Sequence, residues 1–212
     1  MMGRSIITRV AFMKLQPAVV ALALSLLASA CSAPSPGVAP AAGPAADAAA
    51  VFVAALRPTQ GNSAAGTVWL AQEGPQVVLR GRIGGLKADQ QHGFHVHEFG
   101  DCSSADARSA GGHLNPGSKP HGPPDAAHHA GDLPALRADA AGNAEVRMTV
   151  EGTLLGSGAA DIAGKALVVH AAPDDYTTQP TGNSGARIAC GVISTRPGRD
   201  VEGKPITMPK DL

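Results

Sequence analysis

The sequence predicts an all-β domain, an antiparallel sandwich or barrel, and three observations lead to this prediction. Aromatic residues make up only 3% of the 212 residues, whereas Gly (26) and Pro (17) are plentiful, which favours short strands joined by turns. No window keeps the 3.6-residue apolar period of an amphipathic helix. Instead, short segments rich in Val, Ile and Leu follow one another without intervening helices.

The predicted strands are short, partly alternating segments separated by turn-forming residues. In chain order they are Val51–Leu56, Gly66–Gln72, Gln76–Ile83, Gly93–Glu98, Glu145–Val150, Lys165–His170 and Ala189–Ser194. Two longer segments, Gly100–Asp139 and Ala171–Ile188, interrupt the strands. Loops of that length in a compact domain are usually functional, so we expect the chemistry of the protein there.

The first thirty residues indicate a secretory signal peptide. Three basic residues precede the uncharged run Ala18–Ala30, which is too short for a membrane span of about 20 residues. Ala28–Ala30 fits a small-residue cleavage site, and this segment with the following Cys31 resembles a bacterial lipobox. Ordinary cleavage and lipid attachment to Cys31 both remain open. In either case we expect the mature chain to be periplasmic or exported, with possible membrane attachment through Cys31.

The rest of the chain divides into three parts. Residues 31–50 are mostly Ala, Pro and Gly and predict a tether, because so few large apolar side chains cannot offset the entropy of ordering. Residues 51–195 form the predicted domain, and 196–212 a loosely attached tail. Basic and acidic residues balance at 17 each, and removal of the signal peptide leaves a net charge of −3. A strongly basic nucleic-acid-binding protein is therefore excluded.

Histidines carry the chemical signal in three places. His95 and His97 alternate with Val96 in a predicted strand, so both imidazoles project from one face. A later loop contains more imidazoles and a carboxylate, a ligand set that suits tetrahedral zinc: His113, His121, His128, His129 and Asp132. His170 ends an apolar strand. Taken singly, each could instead be a solvated or structural histidine.

Four segments of the chain resemble the copper,zinc superoxide dismutase family, bacterial periplasmic type. Gly93–Asp101 (GFHVHEFGD) is similar to the copper-ligand strand, and Ser109–Pro116 (SAGGHLNP) to the segment of the bridging histidine. His129–Leu133 (HAGDL) resembles the end of the zinc loop, and Gly185–Ile193 (GARIACGVI) the C-terminal signature. The resemblance covers residues 51–195 and implies an eight-stranded antiparallel Greek-key β-barrel, flattened like a sandwich.

The resemblance also implies one copper and one zinc per subunit and names the ligands by position. Copper would be bound by His95, His97, His113 and His170, and zinc by His113, His121, His129 and Asp132. His113 would be an imidazolate shared by both metals. His128 is the alternative to His129, which is favoured by its three-residue step to Asp132.

Further residues take roles from the same resemblance. Asp174, with Asp175 as the alternative, would be the carboxylate between a copper histidine and a zinc histidine. Arg187 would dock the superoxide anion, and Cys102 would form a disulfide with Cys190. The implied reaction is dismutation of superoxide to O2 and hydrogen peroxide. In it copper is alternately reduced and reoxidised, while His113 takes up and returns a proton.

The segment Asp174–Arg187 contains no lysine, whereas animal enzymes use lysines there to steer superoxide, so Lys119 and Arg108 are the candidate steering cations. Three other functions are alternatives: a metal-binding module without turnover, a Ser/His/Asp hydrolase and a structural sandwich. Against them, the chain keeps every copper histidine and the docking arginine that the resemblance implies, and it has no G-x-S-x-G motif. Superoxide is thus the expected partner, with no nucleic acid, and monomer and homodimer are both open.

Overall fold

A computed structural model describes residues 51–207 and residue 209 of the chain. The predicted signal peptide (1–30), Cys31 and the rest of the predicted tether lie outside the described residues. Within the described part, no helix is long and apolar enough to cross a membrane.

The described chain contains nine strands and one short 3₁₀ helix, Arg108–Ala110, so the predicted all-β class is confirmed. All seven predicted strands are present, whereas the two-residue strands β4 and β6 are not predicted by the apolar pattern. The strands are β1 (Val51–Pro58), β2 (Ala65–Glu73), β3 (Gln76–Gly84), β4 (Gln91–His92), β5 (Phe94–His97), β6 (Leu136–Arg137), β7 (Ala144–Val150), β8 (Ala166–His170) and β9 (Arg187–Val192).

Every strand pair is antiparallel. Seven strands form one sheet in the order β5-β8-β9-β1-β2-β3-β7, and β4 pairs with β6 in a second, small sheet. β4 and β5 are one extended run interrupted at Gly93, so the chain has eight extended segments, in agreement with the predicted barrel. The small sheet joins the edges of the large one, because β4 continues into β5 and β6 leads through a turn into β7. In that turn the N–H of Asp139 donates to the carbonyl of Asn143 over 2.8 Å.

β5 separates the hydrophobic core from the histidines, as its alternation predicts. Phe94 and Val96 are completely buried in the main core, while His95 and His97 lie on the opposite face of the strand. The core is filled from the inner faces of the other strands and by Ile193, which follows β9. The main strand residues are Leu56, Val68, Leu70, Leu79, Ile83, Val146, Leu167 and Val169.

A disulfide fastens the first long loop to the outer side of β9. Cys102 and Cys190 are bonded with their Cα atoms 5.8 Å apart, which confirms the predicted pairing. The bond closes a loop of 88 residues and, in the chain-entropy model, stabilises the fold by about 4–5 kcal/mol. Ala107 and Ala110 of this loop pack with Val168 and Cys190 in a second apolar cluster. The loop backbone near residues 107–111 is thereby held next to β8 and β9.

The C-terminal segment is attached to the domain by its backbone, more closely than its composition suggests. The N–H of Gly198 donates to the carbonyl of Val51 at the start of β1, and the N–H of Ile206 donates back to Gly198 over 3.0 Å. Between them the N–H of Asp200 donates to Lys204. The segment therefore turns back on itself beside β1.

Candidate metal centre

The free edge of β5 brings two distant loop segments beside its histidines. The N–H of Val96 donates to the carbonyl of Gly131, and the N–H of Leu114 donates to the carbonyl of Val96, each over 2.9 Å. Isolated bridges then place His97 opposite His113 and His95 opposite Asp132. Gly131 is required at this crossing, because a Cβ there would collide with the carbonyl oxygen of Val96.

Four histidines form the first cluster. Their ligand atoms all lie within 4.8 Å of one another, and all four residues are buried. The first two come from β5, the third from the long loop and the fourth from the end of β8: His95, His97, His113 and His170.

The second cluster contains three histidines and one carboxylate, also within 4.8 Å of one another and buried: His113, His121, His129 and Asp132. His113 belongs to both clusters. Its Nδ1 lies 2.8 Å from Oδ1 of Asp132. Its Nε2 is buried without a hydrogen-bond partner in the described part of the chain. One ring therefore offers one nitrogen to each cluster.

The hydrogen bonds of His97 and His170 assign their tautomers. Nδ1 of His97 lies 3.0 Å from the carbonyl of Gly111, and Nδ1 of His170 lies 3.3 Å from the carbonyl of Gly185. Carbonyl oxygens only accept, so both Nδ1 atoms donate and both Nε2 atoms keep bare lone pairs. These two Nε2 atoms are 3.3 Å apart. Two facing lone pairs repel unless a cation lies beside them, and imidazole nitrogens suit copper and zinc.

Asp174 assigns the tautomers of two more ligands in the same way. Its carboxylate accepts from Nε2 of His95 over 2.6 Å and from Nε2 of His121 over 2.8 Å, linking the two clusters. The Nδ1 atoms of His95 and His121 are therefore bare, and neither has a hydrogen-bond partner among the described residues. A carboxylate that orients the far nitrogen of a histidine is the usual partner of a metal-bound imidazole.

The contacts of Asp132 also fit the binding of a cation by each cluster. Nδ1 of His121 lies 3.0 Å from Oδ2 of Asp132, and Nδ1 of His129 lies 3.2 Å from its Oδ1. Neither contact satisfies hydrogen-bond geometry, and the nitrogen of His121 has no proton to donate. A bare nitrogen facing an anionic oxygen in a buried site fits a metal ion. The donor set of nitrogen with one carboxylate oxygen fits zinc.

The two remaining histidines lie outside both clusters. His128 is half-buried, and its Nδ1 donates to the carbonyl of Ala126 over 2.7 Å, so the structure brings His129 rather than His128 to Asp132. His92 is buried, and its Nδ1 donates to the carbonyl of His170 over 2.8 Å.

Burial is the main cause of the lowered pKa values in the four-histidine cluster. Burial, together with the neighbouring imidazoles, lowers the pKa of His97 to about 2, that of His170 to about 3 and that of His95 to about 4. Burial alone would raise the pKa of Asp132, but the hydrogen bond from His113 and the nearby imidazoles hold it below its usual value. At neutral pH these imidazoles are neutral and the carboxylate is charged, which is the state that metal binding requires.

These lowered pKa values predict that the protein purified without metals loses stability in mild acid. Unfolded histidine has a pKa near 6.5, so below this pH the unfolded chain binds protons that buried His95, His97 and His170 cannot. This contribution to stability is complete above pH 6.5 and is lost as the pH falls towards the folded-state values. Each imidazole should cost roughly 2 kcal/mol of unfolding free energy between pH 7 and pH 5.

Urea unfolding at pH 7, 6 and 5 measures this dependence. His97→Asn should remove one of the three contributions and so reduce the pH dependence, whereas His128→Ala, which removes an imidazole outside both clusters, should leave it as in the parent. A metal-free parent that is equally stable at pH 7 and pH 5 would contradict the prediction.

Arg187 lies beside the histidines in an open cavity of about 600 Å³, whose lining includes His97, His113 and His170. Its guanidinium donates from Nη1 to the carbonyl of Ala107 and from Nη2 to the carbonyl of Gly111, each over 2.6 Å. Both carbonyls belong to the loop that the disulfide fastens. The cation is therefore fixed by the backbone, without a carboxylate partner among the hydrogen bonds described.

The other candidate residues are placed as follows. Arg108 lines the same cavity and forms an exposed ion pair with Asp106, at 3.1 Å from Nε to Oδ2. Lys119 lies in a different cavity, whose lining also includes Asp125 and His128. Asp175 is exposed and accepts hydrogen bonds from Thr177 and Thr178 (2.8–2.9 Å from their N–H groups), so Asp174 and not Asp175 contacts the histidines.

Several contacts that shape the site carry no motif in the sequence. The carbonyls of Ala107 and Gly111 belong to the backbone, which sequence patterns do not mark as functional. Gln179 and Tyr176 contact His121 from the second long loop. The sequence singles out only the two ends of this segment, Asp174 and Arg187. It therefore does not predict a role for Gln179 or Tyr176.

Comparison with known proteins gives one consistent family. The sequence profile described as copper/zinc superoxide dismutase matches residues 64–193. A relative from Aquifex aeolicus, superoxide dismutase (Cu-Zn) 1, is 39% identical over 134 residues, which are 60% of this chain and 79% of the relative.

Two solved structures are similar in both fold and sequence. The crystal structure of the clock protein EA4 aligns with a TM-score of 0.63 and 35% identity, covering 69% of this chain and 95% of that one. A SOD-like protein from Bacillus subtilis aligns with a TM-score of 0.60 and 36% identity, covering 66% and 95%. The chain therefore belongs to the copper/zinc superoxide dismutase family, as an oxidoreductase with copper and zinc as its cofactors.

Proposed function

We propose that the four-histidine cluster holds copper, that His113, His121, His129 and Asp132 hold zinc, and that superoxide reacts in the cavity above them. The observation that carries this proposal is the position of His113, whose two ring nitrogens face the two clusters. Copper supplies the one-electron redox couple that dismutation requires, and zinc supplies a fixed positive charge without redox chemistry.

Arg187 binds the substrate in this proposal. A guanidinium stays charged at all physiological pH values and keeps donors for an anion beyond those used by the two carbonyls. Because Ala107 and Gly111 fix its direction, the side chain need not be ordered when superoxide arrives. It thus presents a preorganised positive charge next to His97 and His170.

His113 moves the proton. Dismutation of two superoxide ions consumes two protons to form hydrogen peroxide, so a proton carrier is needed beside the reacting oxygen. Nε2 of His113 is the nitrogen on the side of the four-histidine cluster, and the ring lines the cavity. The other nitrogen, Nδ1, would be held by the second cluster, which keeps the ring in place while Nε2 gains and loses the proton.

Arg108 is the steering cation that the structure favours over Lys119. It shares the cavity with Arg187, and its charge at the mouth raises the local concentration of an anionic substrate. Asp106, its ion-pair partner, opposes this field. Asp106→Asn should therefore speed the encounter with superoxide.

The experiment that tests the function is a superoxide assay on the mature protein with a metal analysis of the same sample. Protein loaded with zinc alone should be inactive, and addition of one equivalent of copper should restore turnover. A protein that binds both metals with no turnover would be a metal-binding module instead, and the proposal would be withdrawn.

We also propose that the mature protein works outside the cytoplasm, attached to a membrane through a lipid on Cys31. The charged start, the short apolar run and the small residues before Cys31 support export. Cys31→Ala should move the protein from the membrane fraction to the soluble periplasmic fraction. If the parent protein is itself soluble there, the lipid attachment is wrong.

A further inference from the structure

The backbone around His121 has few ways to be held in place. Pro120 precedes this residue, and Pro123 and Pro124 follow Gly122. The three prolines have no backbone N–H to donate. Only His121 and Gly122 provide backbone donors here. The N–H of Gly122 donates to Oδ2 of Asp132 over 3.3 Å, within the second cluster. The segment therefore cannot join a strand, and the position of His121 depends on side chains from elsewhere.

Gln179 supplies the second attachment. The N–H of His121 donates to Oε1 of Gln179, and Nε2 of Gln179 donates back to the carbonyl of His121, each over 2.9 Å. One side-chain amide thus pairs with both backbone groups of a single residue, as a neighbouring strand would. The second hydrogen of Nε2 reaches the carbonyl of Thr177, so the amide is fully used.

The same loop also orients the imidazole. Asp174 accepts from Nε2 of His121, and the ring of Tyr176 lies parallel to that of His121, 7° between planes and 6.4 Å between centroids. Gly182 allows this approach: its φ is +64°, and a Cβ there would collide with Asp174 and with Nε2 of His121. Asp174 and Tyr176 act on the ring, whereas Gln179 is the residue that holds the backbone.

We propose that Gln179 is the positioning residue for His121: it fixes the backbone from which Nδ1 is aimed into the second cluster. This inference rests on the proposed zinc site, and it assigns no contact between Gln179 and the metal. The orientation of the His121 ring does not by itself fix the position of Nδ1. If the Cα atom shifts, Nδ1 moves with it, even when Asp174 keeps the ring oriented. Loss of the amide should therefore weaken zinc binding and leave the fold in place.

The test compares zinc affinity in the mature protein and two variants, by competition with a chelator. Gln179→Ala removes both hydrogen bonds and should lower zinc affinity by about 10-fold, the lower end for residues that support a metal ligand. Gln179→Glu keeps the acceptor but places an oxygen against the carbonyl of His121, so it should weaken binding at least as much. Gln76→Ala is the matched control, because that amide bonds Glu151 on the exposed sheet surface. Its zinc affinity should equal that of the parent.

A second readout separates positioning from a general loss of structure. Co²⁺ placed in the second cluster should give visible absorption bands that are shifted in Gln179→Ala and unchanged in Gln76→Ala. Urea unfolding of the metal-free proteins should show equal stability. The inference is overturned if Gln179→Ala binds zinc like the parent, if its Co²⁺ spectrum is unchanged, or if the metal-free variant is unstable. Failure of the proposed site itself would look different, because Asp132→Ala would then bind zinc as well as the parent.

Discussion

Replacement of His113 by alanine is expected to lower superoxide turnover by roughly 100-fold or more and to break the link between the two metal sites. The ring offers Nε2 to one cluster and Nδ1 to the other, so the variant removes one ligand from each. Losing even a supporting residue beside a ligand costs about 10- to 100-fold in metal affinity or activity. Loss of a shared ligand should be at least as costly, and the proton carrier is lost with it.

The decisive measurement is the electron paramagnetic resonance of bound Cu²⁺, which does not depend on activity. With Cu²⁺ in the first cluster and Co²⁺ in the second, an imidazole shared by both ions couples their spins and suppresses the ordinary Cu²⁺ resonance. In His113→Ala this resonance should return. His128→Ala is the control, since that imidazole lies outside both clusters and bonds only the carbonyl of Ala126 in the described structure. If the parent shows uncoupled copper and cobalt, His113 does not join the metals.

The strand framework can be predicted from local pattern, because period-two alternation reflects which face of a strand is buried. It correctly puts His95 and His97 on one face of β5 with Val96 in the core. The same alternation does not predict β4 and β6. Each contains two residues, and their pairing, Gln91 with Arg137 and His92 with Leu136, depends on contacts far apart in the chain.

The site is less predictable from the residues alone, since its ligands meet through loops. His113 and Asp132 reach β5 only because the backbone of residues 114 and 131 bonds to Val96. Neither that pairing nor the choice of Asp174 over Asp175 follows from composition or spacing. The family resemblance implied His113, Asp132 and Asp174 as site residues, but it gave no expectation of the backbone pairing. Gln179 had no such support. An amide that pairs with a backbone leaves no motif in the sequence.

Replacement of Arg187 by alanine is expected to lower kcat/KM for superoxide by about 10- to 100-fold, within the range that electrostatic steering and docking provide, with both metals retained. The metals should stay because, among the described residues, the hydrogen bonds of the Arg187 guanidinium go to carbonyl oxygens and not to ligand atoms. The carbonyl of Gly111 would still accept from Nδ1 of His97, so the tautomer of that ligand is kept. Metal analysis and a superoxide assay on the same sample measure both expectations.

Three companion variants show whether the charge or its fixed direction matters. Arg187→Lys keeps the charge but lacks the planar fork that reaches both Ala107 and Gly111, so its rate should fall between parent and alanine. Arg108→Ala should cause a smaller loss that fades as salt is added, because this cation is exposed and screened. Arg147→Ala should leave the rate unchanged, because the side chain of Arg147 pairs with Glu145 on the exposed face of β7. Loss of metals from Arg187→Ala, or a rate equal to that of the parent, would show that this guanidinium supports the loop and does not dock the substrate.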